Sequence, residues 1–161
     1  MDYEIQPFDS SHQAQVLELS LRAWAPVFAE LKPAVQDYVY EAFYPRGWQV
    51  RQTSDIEAFL EKEGDRVWVA IKEAAVLGWV GIRLHPVDLM GEIYILAVDP
   101  EHQRRGIGKA LIDFALERMR AAGMAIAMVE TGDDPGHAAS RATYERCGFD
   151  RWPVARYFKE L

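Results

Sequence analysis

A glycine-rich basic loop lies directly before a long amphipathic segment and could bind an anion. The loop runs from Gln103 to Lys109 with the sequence Gln-Arg-Arg-Gly-Ile-Gly-Lys. A loop entering a helix presents unpaired backbone N–H groups at the positive end of the helix dipole, and glycine lets a phosphate approach closely. Arg104, Arg105 and Lys109 add mobile positive charge. Residues 103–109 are therefore predicted to form a phosphate cradle.

Two common phosphate-binding motifs do not fit the cradle. A Walker loop, G-x-x-x-x-G-K-[ST], needs four residues between its glycines, whereas one residue separates Gly106 from Gly108 and Ala110 follows the lysine. The fingerprint G-x-G-x-x-G needs a third glycine where this chain has Leu111. A nucleotide-phosphate enzyme stays open as an alternative that only ATP or GTP binding would support.

Hydrophobic periodicity predicts the elements that position the cradle. Gly91 to Val98 is predicted to be a central strand, because both of its faces are largely apolar. The predicted faces are Glu92, Tyr94, Leu96 and Val98 against Ile93, Ile95 and Ala97. From Gly106 the spacing becomes that of an amphipathic helix ending at Gly123.

The remaining elements are predicted from strand alternation, helix caps and turn residues. Helix 1 should follow Asp9 to Ser11 and end or kink at Pro26. The other predicted elements are a strand at Tyr3 to Phe8, helices at Lys32 to Tyr44, Ser54 to Lys62 and Gly136 to Arg146, a hairpin of Arg66 to Lys72 with Val76 to Leu84, and strands at Met124 to Glu130 and Val154 to Lys159. This order predicts an α/β sandwich around a mixed sheet.

Composition restricts the function classes. The 161 residues suit one domain spanning 1–161, and the net charge of −7 argues against nonspecific nucleic-acid binding. No signal peptide pattern and no run of about 18 apolar residues is present, so neither secretion nor membrane spanning is expected. The single Cys147 predicts no internal disulfide and agrees with a cytoplasmic location.

Three motifs in sequence order resemble the Gcn5-related N-acetyltransferase (GNAT) superfamily. Gln103 to Gly108 matches its Q/R-x-x-G-x-G/A motif, Leu96 to Pro100 matches L-x-V-x-P, and Tyr144 to Phe149 looks like its Y-E-x-x-G-F element. The resemblance implies a mixed, mostly antiparallel central sheet with helices on both faces. It also implies an N-acetyltransferase that moves an acetyl group from acetyl-CoA to a primary amine of a small molecule or a protein.

The resemblance also implies a set of cofactor contacts. Backbone amides of the cradle would hold the CoA pyrophosphate, and a splayed central strand would pair with pantetheine. The residues implied are Gln103, Arg104, Arg105, Gly106, Ile107, Gly108 and Lys109 for the pyrophosphate, and Leu96, Ala97 and Val98 for pantetheine. Arg104 and Arg105 would tune the affinity, or else form only a solvated loop.

Two residues are candidate catalytic groups by the same resemblance. Tyr144 would protonate the CoA thiolate, or alternatively pack its ring beneath the cofactor. Glu92 would accept the amine proton through water, or alternatively face solvent with no catalytic role. A backbone N–H at Val98 or its neighbour would stabilise the oxyanion. Where many relatives carry Asn, this chain has His137, which could donate to pantetheine, act as acid or base, or cap a helix.

Aromatic residues in the N-terminal part of the chain are the candidates for an acceptor pocket. Seven aromatic residues could line a pocket or form a core: Trp24, Phe28, Tyr38, Tyr40, Phe43, Tyr44 and Trp48. The remaining histidines, His12, His85 and His102, have no metal-ligand spacing, so no metal site is expected. The rival to the enzyme is a noncatalytic acyl-CoA-binding or regulatory module, and a homodimer is left open.

Overall fold

The fold is a single five-stranded sheet with helices on both faces, as a computed structural model of residues 2–161 shows. The strands follow chain order across the sheet, antiparallel from β1 to β4, and β5 is parallel to β4. The strands are β1 Glu4–Pro7, β2 Val67–Lys72, β3 Ala75–His85, β4 Met90–Val98 and β5 Ile126–Val129. The helices are α1 Gln13–Leu31, α2 Asp37–Phe43, α3 Trp48–Glu63, α4 Ile107–Ala121 and α5 Ala138–Arg146. The predicted mixed, mostly antiparallel sheet is confirmed.

Two hydrophobic clusters cover the two faces of the sheet. On one face α1 and α3 pack around Trp79, which is fully buried. On the other face α4 supplies Leu111 and Ile112, both fully buried. Tyr144 of α5 and Phe149, which follows it, join this second cluster at its margin. Each face thus buries one stripe of apolar side chains, which accounts for the layered architecture.

The helices between β1 and β2 differ from their predicted bounds. α1 continues through Pro26 to Leu31, and the predicted second helix divides into a 3-10 turn at Lys32–Ala34 and α2. The predicted start at Ser54 is wrong, because α3 already begins at Trp48 after Gly47 with φ of 90°. Trp48, in the part of α3 that precedes Ser54, stacks on Phe28 of α1 at 4.5 Å, so tertiary packing begins ahead of the local capping pattern.

The predicted last strand at Val154 to Lys159 is absent. Residues 151–161 are all exposed and belong to no helix or strand. Alternating apolar residues favour a strand only where another strand supplies hydrogen bonds, and no described strand pairs with this segment. Within residues 2–161 the structure also contains no helix with the length and hydropathy needed to cross a bilayer.

Candidate active site

A bulge in β4 sets the orientation of its side chains. In the register with β3, Gly81 faces Ile95 and Ile82 faces Ile93, so Tyr94 has no partner. The extra residue shifts the alternation by one. The side chain of Ile95 therefore packs toward α1 and α3, whereas Leu96 joins Ile93 in the cluster beneath α4. The predicted grouping of β4 residues into two uniformly alternating faces was wrong for this reason.

β4 and β5 separate at the bulge. Their parallel pairing extends from Met90 opposite Ile126 to Ile93 opposite Val129 and then stops. Residues 94–98 have no described partner on the β5 side, and we call this gap the β4–β5 opening. The N–H of Asp99 donates to Leu77 O at 2.8 Å across the β3 side. Because successive N–H groups of a strand point in opposite directions, the N–H of Val98 points toward the opening.

The phosphate cradle begins just beyond the opening. Gln103 Nε2 donates to Val98 O at 3.1 Å, which ties the loop to the end of β4. Arg104 and Gly106 adopt left-handed backbone conformations with φ of 60° and 84°. The first helical bond of α4 runs from Ala110 N to Gly106 O, so the N–H groups before Ala110 are free for an anion.

The side chains of the cradle fall into three environments. Ile107, the first residue of α4, is buried and anchors the loop. Arg104 and Arg105 are exposed, and no carboxylate of residues 2–161 lies within salt-bridge distance of either. Lys109 Nζ instead lies 2.5 Å from Asp113 Oδ2, and this hydrogen bond raises the pKa of Lys109. A Cβ on Gly108 would make ordinary contact with Val98 at 3.7 Å.

Tyr144 lies in the apolar cluster on the α4 side of the sheet. That cluster also contains Leu96 and Val98, which border the β4–β5 opening. The ring of Phe149 packs edge-on against Tyr144 at 5.9 Å between centroids. Burial, with a smaller contribution from Cys147, raises the pKa of Tyr144 to about 12. The phenol is therefore protonated at neutral pH, as a proton donor must be.

Glu92 lies on the opposite face and forms a pair that sequence analysis missed. His85 Nε2 and Glu92 Oε1 are 2.8 Å apart across β3 and β4, with the Glu92 side chain only 17% exposed. Beside them, Arg83 binds Glu63 at 2.8 Å and lies 3.7 Å from the centroid of the Tyr94 ring. The short connection between the strands could have indicated the proximity of His85 and Glu92, because it folds the two residues back on each other.

His137 is held by a neighbouring carboxylate. It occupies the residue before α5, but its side chain makes no helix-capping bond. Its Nδ1 instead lies 2.6 Å from Asp134 Oδ1, while Arg141 donates to the carbonyls of Gly132 and Asp134 at 2.7 Å each. The expectation that the His137 side chain caps the helix is wrong, because its Nδ1 contacts the Asp134 carboxylate instead of a backbone group of α5. Its contact with pantetheine stays a prediction.

Most of the predicted acceptor aromatics pack on one another. Phe28 stacks on Trp48 at 4.5 Å and meets Tyr44 edge-on at 5.2 Å, and Tyr40 packs on Tyr44 at 4.8 Å. Trp24 differs, because it lines a cavity of about 230 Å³ beside the β4 bulge. The lining residues are Trp24, Gln52, Asp55, Ile56, Tyr94 and Ile95. A larger cavity of about 390 Å³ lies at the β1–β2 edge, away from the opening.

Comparison with known proteins identifies the family. The family model described as Acetyltransferase (GNAT) family matches residues 33–149, which is more than half of the chain. The chain belongs to this GNAT family.

Curated relatives of this GNAT chain include two mycothiol acetyltransferases. The Kocuria rhizophila protein is 32% identical over 116 residues, covering 70% of this chain and 32% of the relative. The Beutenbergia cavernae protein is 49% identical over 70 residues, covering 44% of this chain and 22% of the relative. This chain therefore spans about a third or less of the length of these relatives.

A solved structure agrees with the GNAT fold. The PaiA N-acetyltransferase of Thermoplasma acidophilum, solved in complex with coenzyme A, superposes with a TM-score of 0.70 at 15% identity. The match covers 96% of this chain and 94% of the other. At this identity the likeness shows the fold, and it confirms the fold class predicted from the GNAT motifs.

Proposed function

We propose that this chain is an acetyl-CoA-dependent N-acetyltransferase that acetylates a primary amine. The observation that carries the proposal is the β4–β5 opening, which leads along residues 94–98 to the phosphate cradle. An extended pantetheine can hydrogen-bond along an unpaired strand edge while its pyrophosphate meets the N-terminus of α4. Membership of the GNAT family supports the same assignment.

The fit of CoA to the cradle depends on backbone groups. The free N–H groups before Ala110 and the exposed Arg104 and Arg105 suit a pyrophosphate. Lys109 is engaged by Asp113 and would need to leave that pair to reach a phosphate. We therefore assign the main contribution to the backbone and a smaller one to the arginines.

The two sides of the opening carry groups suited to acyl transfer. The amine nitrogen bonds to the thioester carbon and gives up a proton, which Glu92 accepts through water. The C–S bond then breaks, and the Tyr144 hydroxyl gives its proton to the sulfur. Solvent exchange afterwards returns a proton to Tyr144 and removes one from Glu92. While the tetrahedral intermediate exists, the N–H of Val98, which points into the opening, stabilises its oxyanion by a hydrogen bond.

The acceptor is proposed to enter from the α1–α3 side. The cavity of about 230 Å³ lies on that side and has Tyr94 and Ile95 of the bulge in its wall. Its size suits a small amine or a single side chain, because sites for drug-sized ligands are usually about 300 Å³ or larger. Asp55 and the Trp24 ring offer a carboxylate and an aromatic face to a cation.

Three further features of the protein are proposed. The single sheet with its two covering layers supports one N-acetyltransferase domain over 1–161. The lone Cys147 supports a cytoplasmic location. A homodimer is supported by residues 151–161, which belong to no helix or strand and expose Trp152 and Tyr157.

The proposed function is tested by mixing the protein with acetyl-CoA and a panel of amines and measuring free thiol. Mycothiol-related amines belong in the panel, because the curated relatives carry that name. Thiol release that requires both an amine and folded protein is expected. Thermal stabilisation by CoA without thiol release for any amine would favour the noncatalytic CoA-binding module instead.

A further inference from the structure

The loop that follows β5 forms the second wall of the β4–β5 opening. The last parallel pair joins Ile93 to Val129, and β5 ends at Val129. The two chains then separate, with residues 94–98 on one side and residues 130–137 on the other. We call residues 130–137 the β5–α5 loop. A group on this loop therefore borders the space proposed for the reacting thioester.

The β5–α5 loop also reaches the side from which the acceptor is proposed to enter. A Cβ on Gly136 would overlap the carbonyl oxygen of Val27, so the loop packs directly on α1. Val27 follows Trp24 by three residues, which places the two residues as neighbours on one helix face. Trp24 lines the cavity of about 230 Å³ proposed for the acceptor. The loop therefore lies between the opening and this cavity, where an acceptor amine would meet the thioester.

Asp134 and His137 form a hydrogen-bonded pair on this loop. Asp134 Oδ1 and His137 Nδ1 are 2.6 Å apart, and the two side chains are only 11% and 22% exposed. A Cβ on Gly132 would overlap Asp134 Oδ1 and lie 2.7 Å from His137 Nδ1, so there is no room beside the pair for a side chain. Arg141 of α5 donates to the carbonyls of Gly132 and Asp134 at 2.7 Å each. The loop thus holds the pair in one geometry.

This contact fixes the tautomer of His137. A carboxylate can only accept a hydrogen bond, so Nδ1 carries a proton and donates it to Asp134. The neutral ring then has a lone pair on Nε2, which has no hydrogen-bond partner within residues 2–161. Asp134 Oδ2 is buried and also has no partner among these residues. A proton taken up by Nε2 would therefore make an imidazolium whose charge Asp134 stabilises.

His137 lies on the same face of α5 as Tyr144. The two residues are seven positions apart, which is close to two turns of the helix that His137 precedes. Tyr144 packs in the cluster that contains Leu96 and Val98 at the border of the opening. The wall formed by the loop and α5 therefore carries one side chain that can donate a proton and one that can accept a proton.

The proposed acetyl transfer leaves one proton without an acceptor. A primary alkylamine is protonated at neutral pH, because its pKa lies near about 10. Its nitrogen must lose two protons to become an amide nitrogen: one before it can attack the thioester, and one as the new bond forms. Glu92 accepts the second proton in the proposed function. The first proton needs another acceptor, unless only the small neutral fraction of the amine reacts.

We propose that His137 accepts the first proton, at Nε2, from the ammonium of the bound acceptor, with Asp134 as its positioning residue. This step rests on the proposed acetyl transfer and adds to it. One N–H bond of the ammonium breaks, its electron pair stays on the amine nitrogen, and the proton forms the Nε2–H bond of an imidazolium. The neutral amine then attacks the thioester carbon, and the partly exposed His137 returns its proton to water.

Two small amines of different basicity separate the two proton transfers. Ethylamine is protonated at pH 7, whereas the ammonium of trifluoroethylamine is largely dissociated because fluorine withdraws electrons, so this amine has only one proton to lose. With acetyl-CoA, His137→Asn should lower kcat/KM for ethylamine by about 100-fold and for trifluoroethylamine by less than about threefold. Glu92→Gln should lower both values by a similar factor, because the second proton leaves either amine.

Nuclear magnetic resonance of the full chain tests the role of Asp134 without any acceptor. Nitrogen–proton correlations should show the neutral His137 ring with its proton on Nδ1. Asp134→Asn should favour the tautomer with the proton on Nε2 and should lose as much activity with ethylamine as His137→Asn. Asp133→Asn is the matched control, because this carboxylate is 84% exposed and pairs with Arg151 instead of His137. It should keep the wild-type tautomer and rates.

The outcomes separate this step from the proposed function. Equal losses for the two amines in His137→Asn, or a wild-type rate with both, would overturn the proposal and leave the pair with a structural role. A proton on Nε2 of the neutral ring in the wild-type protein would overturn it as well. If the wild-type protein releases no thiol with any amine, the acetyl transfer itself is overturned, and this step with it.

Discussion

At the scale of single residues, burial decides the protonation state of Tyr144. Its side chain is partly buried against the apolar cluster on the α4 side, and burial raises its pKa to about 12. The phenol is therefore protonated at neutral pH and in moderately alkaline solution. Such a phenol keeps its proton at neutral pH, and the same raised pKa makes it a weaker acid toward a leaving thiolate than a tyrosine with the ordinary value near 10.

Replacing Tyr144 by Phe should lower kcat by on the order of 10² to 10⁴, with acetyl-CoA binding little changed. Deprotonation of Tyr144 should not lower the wild-type rate between neutral pH and about pH 10, since the pKa of Tyr144 lies near 12. Steady-state kinetics and CoA titration measure both quantities. Tyr3→Phe is the matched control, because Tyr3 packs against the same cluster and its buried hydroxyl has no partner. A wild-type rate for Tyr144→Phe would leave the residue with a packing role only.

The contact between His85 and Glu92 gives Glu92 a fixed orientation. One carboxylate oxygen, Oε1, is 2.8 Å from His85 Nε2, which leaves Oε2 for water or the amine. His85 is 39% exposed and Glu92 17%, so the pair lies at the boundary between the interior and solvent. We propose Glu92 as the base and His85 as a positioning residue.

Glu92→Gln should reduce turnover, and the reduction should shrink as pH rises because more acceptor amine is then neutral without help. A pH series of kcat/KM measures this recovery. An equal loss at every pH would indicate positioning or folding instead of base catalysis. No loss at any pH would show that the amine arrives already deprotonated.

His85→Leu should lower kcat by about tenfold, which corresponds to one hydrogen bond to a charged group. His85→Gln can still donate to Glu92 and should recover most of that loss. In the double variant with Glu92→Gln, His85→Leu should add no further loss, because its effect acts through Glu92. Independent, additive losses would contradict a positioning role.

At the scale of elements, the start of α4 depends on a backbone conformation that glycine supplies. Gly106 has φ of 84°, and nothing lies within 4 Å of a Cβ placed there. A side chain at this position therefore meets no protein atom, and we propose that it would obstruct the approach of a phosphate to the cradle. Substitution there combines conformational strain with blocking of the ligand.

Gly106→Val should remove most of the thermal stabilisation that acetyl-CoA gives the wild-type protein. Gly123→Val is the matched control, because Gly123 also has φ of 84° with no atom within 4 Å and lies at the far end of α4. Both variants should lose about 1–3 kcal/mol of stability from strain. Only the Gly106 variant should lose cofactor affinity, as isothermal titration would measure. Equal CoA affinity in two folded variants would contradict the cradle.

The sequence predicted elements well where local and tertiary preferences agree. The β2–β3 hairpin, β4, α4 and the turn before α4 follow from periodicity and glycine placement. The start of α3 was mispredicted, because Trp48 packs on Phe28 of α1, a tertiary contact that the cap pattern at Ser54 does not contain. The faces of β4 were mispredicted as well. A bulge at Tyr94 depends on the register with β3, which alternation within one strand does not contain.

At the scale of the whole molecule, Asp99 connects the N-terminal helix α1 to the loop that follows β4. Its carboxylate accepts bonds from Arg22 of α1 at 2.5 Å and from the Glu101 N–H at 3.0 Å, just before the cradle. Burial acts to raise the pKa of Asp99, but these hydrogen bonds outweigh burial and hold its pKa below the usual value. The N-terminal helix is thereby fixed to the exit of β4. The sequence contains no local signal for this contact between residues 77 positions apart.

Asp99→Asn should lower the free energy of unfolding at pH 7 by about 1–3 kcal/mol, toward the lower end because Arg22 is half exposed. The folded-state pKa of Asp99 is depressed, so its stabilisation is fully present above the unfolded pKa near 3.8. That stabilisation is lost as pH falls through the lower folded-state value. Urea unfolding between pH 7 and pH 3 should show the two proteins converging in acid. Glu18→Gln, which removes an exposed partner of the same Arg22, should change stability by less than about 1 kcal/mol. A difference between wild type and Asp99→Asn that persists undiminished at the lowest pH would assign its effect to packing and not to charge.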